Sequence, residues 1–87
     1  MTDKELLELA AKAAGLVIHT WEEDHFLVDE NNGTGFCFYW NPLTDYEDAL
    51  RLAVELSIWV DPSVAQTYSQ QRRAIVRAAA EIGKGMK

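Results

Sequence analysis

Three side chains in this 87-residue chain could ligate a soft metal or act as a nucleophile with its base: His19, His25 and Cys37. With a carboxylate such as Asp24 they would make up the four ligands that zinc takes. The spacing opposes it. There is no Cys-x-x-Cys or His-x-x-x-His pair, and ligands on separate strands need one particular register. A reactive thiol needs an electropositive, accessible setting, whereas Cys37 lies between Phe36 and Phe38. No Walker motif, glycine-rich phosphate loop or serine elbow occurs. "GTG" at 33–35 lacks the strand-to-helix context of a phosphate cradle. The expectation is a chain that is not an enzyme and holds no metal or cofactor.

Charge is the stronger signal. Residues 1–61 hold 13 acids and 3 bases, a net −10, while residues 62–87 hold 1 acid and 5 bases, a net +4. The overall charge of −6 disfavours non-specific nucleic-acid binding. Glu22, Glu23 and Asp24, with Asp29 and Glu30 across a hairpin, form a carboxylate group suited to steering toward a basic groove. Asp45, Glu47, Asp48 and Glu55 add a second acidic surface. Against them stand Arg72, Arg73 and Arg77, the only cluster placed to contact phosphates, although Glu81 follows on the same helical face.

These groups must be held by ordered elements, and the apolar (48%) and charged (25%) shares are those of a globular protein. The length is that of a single domain, 1–87. Thr2 and Glu5 fit a capping box that opens a helix with Leu6, Leu9, Ala10 and Ala13 inward, and Gly15 is its stop. "LVIHTW", "HFLVDE" and "FCFYW" read as three strands of a meander, with "NNGTG" as a turn. Asn41-Pro42 ends the third strand. Thr44 and Glu47 form a second capping-box pattern, opening a helix to about Ser57 with Tyr46, Ala49, Leu50 and Ala53 inward. "IWV" at 58–60 reads as a short strand, and residues 63–68 fit either a strand or a helix start. From about Ser69 a last helix puts Ile75, Ala79 and Ile82 inward. The fold class is α+β: a small, mainly antiparallel sheet with helices packed on it, in the order α-β-β-β-α-β-α.

Five apolar or aromatic residues in a row, 36–40, suit a strand covered by helices on both faces. Trp21, Trp59 and Tyr68, near element ends, are the better candidates for exposed anchors at an interface. No apolar run is long enough to span a bilayer. The N-terminal stretch is charged and amphipathic, without the basic start and apolar centre of a signal peptide. One cysteine implies no oxidising compartment, so the expected location is the cytoplasm.

"WNPLTDYEDALRLAVEL", "RRAIVRAAAEIG" and the N-terminal "DKELLELAAKAAG" together resemble a family of small tailed-phage and prophage accessory proteins. The family's central motif is close to W-N-P-L-T-D-D-G-D-A-L-R-L-A-V. The chain departs from it at Tyr46-Glu47, where the family has Asp-Gly, and at Ser57-Ile58-Trp59, where the family has a glycine-led loop. The resemblance implies phage origin and an α-β-α sandwich-like fold. By analogy with anti-CRISPR proteins, it suggests a non-enzymatic inhibitor of a host protein or ribonucleoprotein complex, Cas proteins among the candidates. The expected contact residues are Glu22, Glu23, Asp24, Asp29, Glu30, Trp21 and Trp59. The alternative is a DNA-metabolism accessory that binds nucleic acid through Arg72, Arg73 and Arg77.

Overall fold

A computed structural model describes residues 2–22, 25–30, 37–61, 63 and 66–86, with backbone alone at 30 and 37. Its elements are α1 (Asp3–Ala14), β1 (Leu16–Glu22), β2 (His25–Glu30), β3 (Cys37–Trp40), α2 (Tyr46–Leu56) and α3 (Tyr68–Gly85). The class is α+β. The three strands form an antiparallel meander in the order β1-β2-β3.

Each helix starts at a side-chain cap. Thr2 accepts from the Glu5 N–H at 3.2 Å, and its hydroxyl also reaches the Glu5 carboxylate. The α2 cap is Asp45 rather than Thr44: the Asp45 carboxylate accepts from the N–H groups of Glu47 and Asp48. Thr67 and Gln70 form a complete capping box at α3. That assigns Thr67 and Tyr68 to the helix start, while residues 64 and 65 lie outside the described residues.

Helix ends are equally specific. Gly15 closes α1 at φ 74°, a backbone conformation that glycine adopts without a Cβ penalty. Ser57 closes α2 at φ 54°, and the N–H of Ile58 returns to the Ala53 carbonyl at 2.8 Å. This is the Schellman pattern, normally built on glycine. It also explains why 58–60 stays outside the three-stranded sheet. Ile58 gives its N–H to helix closure, and two residues are too few for a ladder of their own.

The core places α1, α3 and the inner face of the sheet together. Phe26, Val28 and Trp40 are buried against Leu6, Leu7, Ala10 and Ala11 of α1 and Ile75, Val76, Ala79 and Ala80 of α3. Leu16, Ile18, Trp21 and Phe38 pack at its margin. The helices cover one face of the sheet rather than two: Val17 and Tyr39 on the opposite face are exposed, and among the described residues no helix lies over them. Of the 36–40 run, Phe38 and Trp40 face inward and Tyr39 faces outward, while Phe36 lies outside the described residues.

Two helical faces are turned relative to expectation. In α2 the buried residues are Ala49 and Leu52, and Leu50 is exposed. In α3, Val76, Ala80 and Gly83 are buried with Ile75 and Ala79, and Ile82 is exposed. Gly83 reveals why. A Cβ there would lie 1.9 Å from the Leu9 carbonyl oxygen, so α3 touches the α1 backbone directly.

Gly83→Ala is therefore expected to destabilise by about 3 kcal/mol or more, because backbone cannot move aside as a side chain can. Gly85→Ala meets nothing within 4 Å and is expected to be neutral. Urea melts of the two variants make the comparison. Ser57→Gly should stabilise by about 1 kcal/mol in the same experiment.

Candidate functional site

The carboxylates around the hairpin do not form one surface among the described residues. Glu22 ends β1 opposite His25, with its Oε2 3.7 Å from His25 Nε2. Asp29 lies toward the far end of β2, four residues and about 13 Å of extended chain from His25. Its Oδ2 is 3.9 Å from Nε2 of His19, and its Oδ1 is buried without a hydrogen-bond partner among the described residues. Each acid thus faces its own histidine. Glu23 and Asp24 lie outside the described residues, and Glu30 is described by its backbone alone.

The two tryptophans separate. Trp21 is an inner-face residue, half-buried, its ring edge-on to Phe26 with centroids 4.5 Å apart. It is part of the core margin and not an exposed anchor. The bulge between Ile18 and Thr20 turns it inward, since one extra residue shifts the alternation. Trp59 is 78% exposed. Tyr68 is also exposed, edge-on to Tyr46 at 5.1 Å.

The arginines are mostly engaged within the fold. Nε of Arg72 donates to the Leu43 carbonyl at 2.9 Å. This ties α3 to the segment between β3 and α2. Arg73 pairs with Asp3 at 3.3 Å, joining α3 to the start of α1. Arg77 is exposed and has no ion pair among the described residues. One unengaged cation on a face that also carries Glu81 is a poor phosphate track.

Apolar and charged side chains are both exposed along α2 and the segment that follows it. Leu50 and Val54, one turn apart, are 44% and 79% exposed, and Trp59 follows just past the helix end. Glu47 and Glu55 are exposed on the same helix, with Arg51 between them. Asp61 accepts from both the N–H and the hydroxyl of Ser63, which holds its carboxyl below the ordinary range and keeps it ionised. Residues 45–61 carry five acids and one base. Sequence reasoning named Trp59 and the acids but placed Leu50 inward and passed over Val54. The available signal was an apolar surplus: seven of the eleven α2 residues are apolar or aromatic, more than one buried stripe needs.

Behind this surface, the buried Asn41 organises the corner between β3 and α2. Its Oδ1 accepts from the Leu43 N–H, its carbonyl accepts from the N–H groups of Thr44 and Asp45, and its own N–H donates to Asp48 Oδ2 at 3.0 Å. Burial pushes the Asp48 carboxyl up, more than the Asn41 N–H draws it down.

Among the described residues, no group of three His, Cys, Asp or Glu could hold a metal ion, and no helix is long and apolar enough to cross a membrane. Comparison of the chain with protein-family models, with curated proteins and with solved structures finds no match.

Asp48 gives a pH test. A carboxyl whose folded-state pKa is raised favours folding when protonated. Its contribution is present below the ordinary value of 3.8 and lost as pH rises through the folded-state value. Asp48→Asn keeps an oxygen for the Asn41 N–H and removes the charge. Its thermal midpoint at pH 7 should equal or exceed the parent's, with the gap closing below pH 3.8. Asp48→Ala, which leaves that N–H without its acceptor, should cost about 1–2 kcal/mol throughout.

Proposed function

We propose that the chain is a phage-encoded, non-enzymatic binding protein that acts in the host cytoplasm by covering a basic surface of a defence complex, in the manner of anti-CRISPR proteins. The observation that carries the reading is the exposure of Leu50, Val54 and Trp59 among the carboxylates of α2 and the segment after it. Isolated exposed apolar residues are ordinary on soluble proteins. An indole and two aliphatic side chains within one ten-residue stretch, flanked by acids, have the composition of an interface centre with a charged rim. The acids would steer approach to a basic partner, and the apolar group would set how long the complex lasts.

The binding residues under this reading are Trp59, Val54 and Leu50, with Glu47, Glu55 and Asp61 around them. They displace the hairpin acids, of which Glu22 and Asp29 each face a histidine. The nucleic-acid alternative loses support because Arg72 and Arg73 are already bound to Leu43 and Asp3.

The decisive assay is expression in a bacterium whose CRISPR system blocks a targeted phage. The parent chain should restore plaque formation. Trp59→Ala and Val54→Asp should each reduce binding to the affected complex by roughly thirtyfold, as expected for a central anchor worth about 2 kcal/mol. Arg77→Glu should leave binding unchanged and resistant to nuclease. Failure to restore plaques across several CRISPR types, or binding that vanishes with nuclease, would remove this reading.

A further inference from the structure

The outer face of the sheet carries chemistry that sequence spacing left unassigned. In β2, Phe26 and Val28 are buried in the core, so Asp29 lies on the opposite face. Its pairing partners are Val17 on β1 and Cys37 on β3. The Asp29 carboxylate also meets His19, with Oδ2 3.9 Å from Nε2. The register thus gathers a histidine, an aspartate and a cysteine, one from each strand. His25 is left out, because it lies at the other end of β2 with its Nε2 beside Glu22.

Asp29 is not satisfied by the fold. Its side chain is only 16% exposed, and Oδ1 is buried without a hydrogen-bond partner among the described residues. A buried carboxylate oxygen without a donor is costly and calls for a water or an ion. At 3.9 Å the approach to His19 is too long for a hydrogen bond. It is close to the roughly 3.4 Å that separates a nitrogen and an oxygen ligand on tetrahedral zinc. His19 is 43% exposed, which gives its ring room to close the difference.

We propose that His19, Asp29 and Cys37 bind a zinc ion, with the fourth tetrahedral position open to water. The donor set selects the metal. Imidazole and thiolate favour zinc, whereas calcium and magnesium need several oxygen ligands and would find one carboxylate. Among the described residues no helix covers this face, and the exposed His19 gives the ion a path from solvent. Because each ligand belongs to a different strand, the ion ties β1, β2 and β3 together on the side that the helices leave bare. The site rests on the sheet register and is independent of the α2 surface.

The test uses the full chain, reduced and stripped with a chelator, titrated with zinc chloride by calorimetry and with cobalt chloride by absorption. Zinc should bind as one ion per chain and raise the thermal midpoint. Cobalt should give the visible bands of a tetrahedral site and a thiolate charge-transfer band in the near ultraviolet. His19→Ala, Asp29→Asn and Cys37→Ser should each weaken zinc binding by at least about tenfold, while His25→Ala stays within about twofold of the parent. Cys37→Ser should also remove the charge-transfer band. Metal-free melts check that the variants fold, and the cobalt spectrum of the parent chain decides the matter even if one does not. A parent spectrum without the thiolate band would overturn the proposal. So would the absence of zinc binding, zinc binding that His19→Ala leaves unchanged, or light scattering that shows one ion shared between two chains.

Discussion

The contact on which the rest of the molecule depends is the one between Gly83 and the Leu9 carbonyl. Helices in contact usually keep their backbones apart by a layer of side chains. Here α3 has no side chain at the crossing, and the flanking positions are Ala10 and Ala11 on α1 and Ala79 and Ala80 on α3, all buried. The two helices approach closely there, and Phe26, Val28 and Trp40 join them in one buried cluster from a single sheet face. In a chain this short, one sheet face and three helices must supply the whole core.

The second fixed point is the corner at residues 40–45. Trp40, Asn41 and Pro42 are buried, and Asn41 alone satisfies backbone groups of Leu43, Thr44 and Asp45 while its own N–H is taken by Asp48. Arg72 then clamps Leu43 to α3. The segment Trp40–Asp45 is thus a structural joint, and its residue types suit its geometry. An asparagine suits the buried position because its side chain offers an uncharged acceptor to the N–H two residues ahead. A proline fits because the ladder has ended. A motif of this kind identifies an architecture more readily than an activity. The exposed residues that could meet a partner lie outside it, at Leu50, Val54 and Trp59.

Much of the architecture was legible because its signals are local. Thr2, Gly15 and Pro42 act within a few residues, and the three strands announce themselves by β-branched and aromatic content. The cap at Asp45 in place of Thr44 is a one-residue shift between two good capping residues. What was not legible depends on register and on surplus. The inward position of Trp21 follows from a bulge at His19, which no composition rule locates. The pairing of Asp29 with His19 and of Glu22 with His25 depends on how β1 lies against β2. In α2, two apolar stripes compete for the core, and Leu52 is buried while Leu50 is exposed, on a helix whose Asp48 accepts from the Asn41 N–H. Arg72 and Arg73 looked like a basic patch because their acceptors, Leu43 and Asp3, are far away in sequence.

The seam between α1 and α3 also sets a timetable. It is the most extensive contact between the described elements, and it joins Asp3–Ala14 to Tyr68–Gly85. Local capping can begin α1 as soon as it emerges from the ribosome, but a helix of twelve residues is marginal alone. The meander can rest on α1, but the core that holds both is complete only with Ile75, Val76, Ala79 and Gly83 of α3. Closing it means bringing together helices separated by the whole of residues 15–67, a long-range contact whose loop-closure cost is met before the core can form. Each residue added between the two helices would lengthen the loop that this contact must close, slowing folding and prolonging exposure of the aromatic sheet face to aggregation.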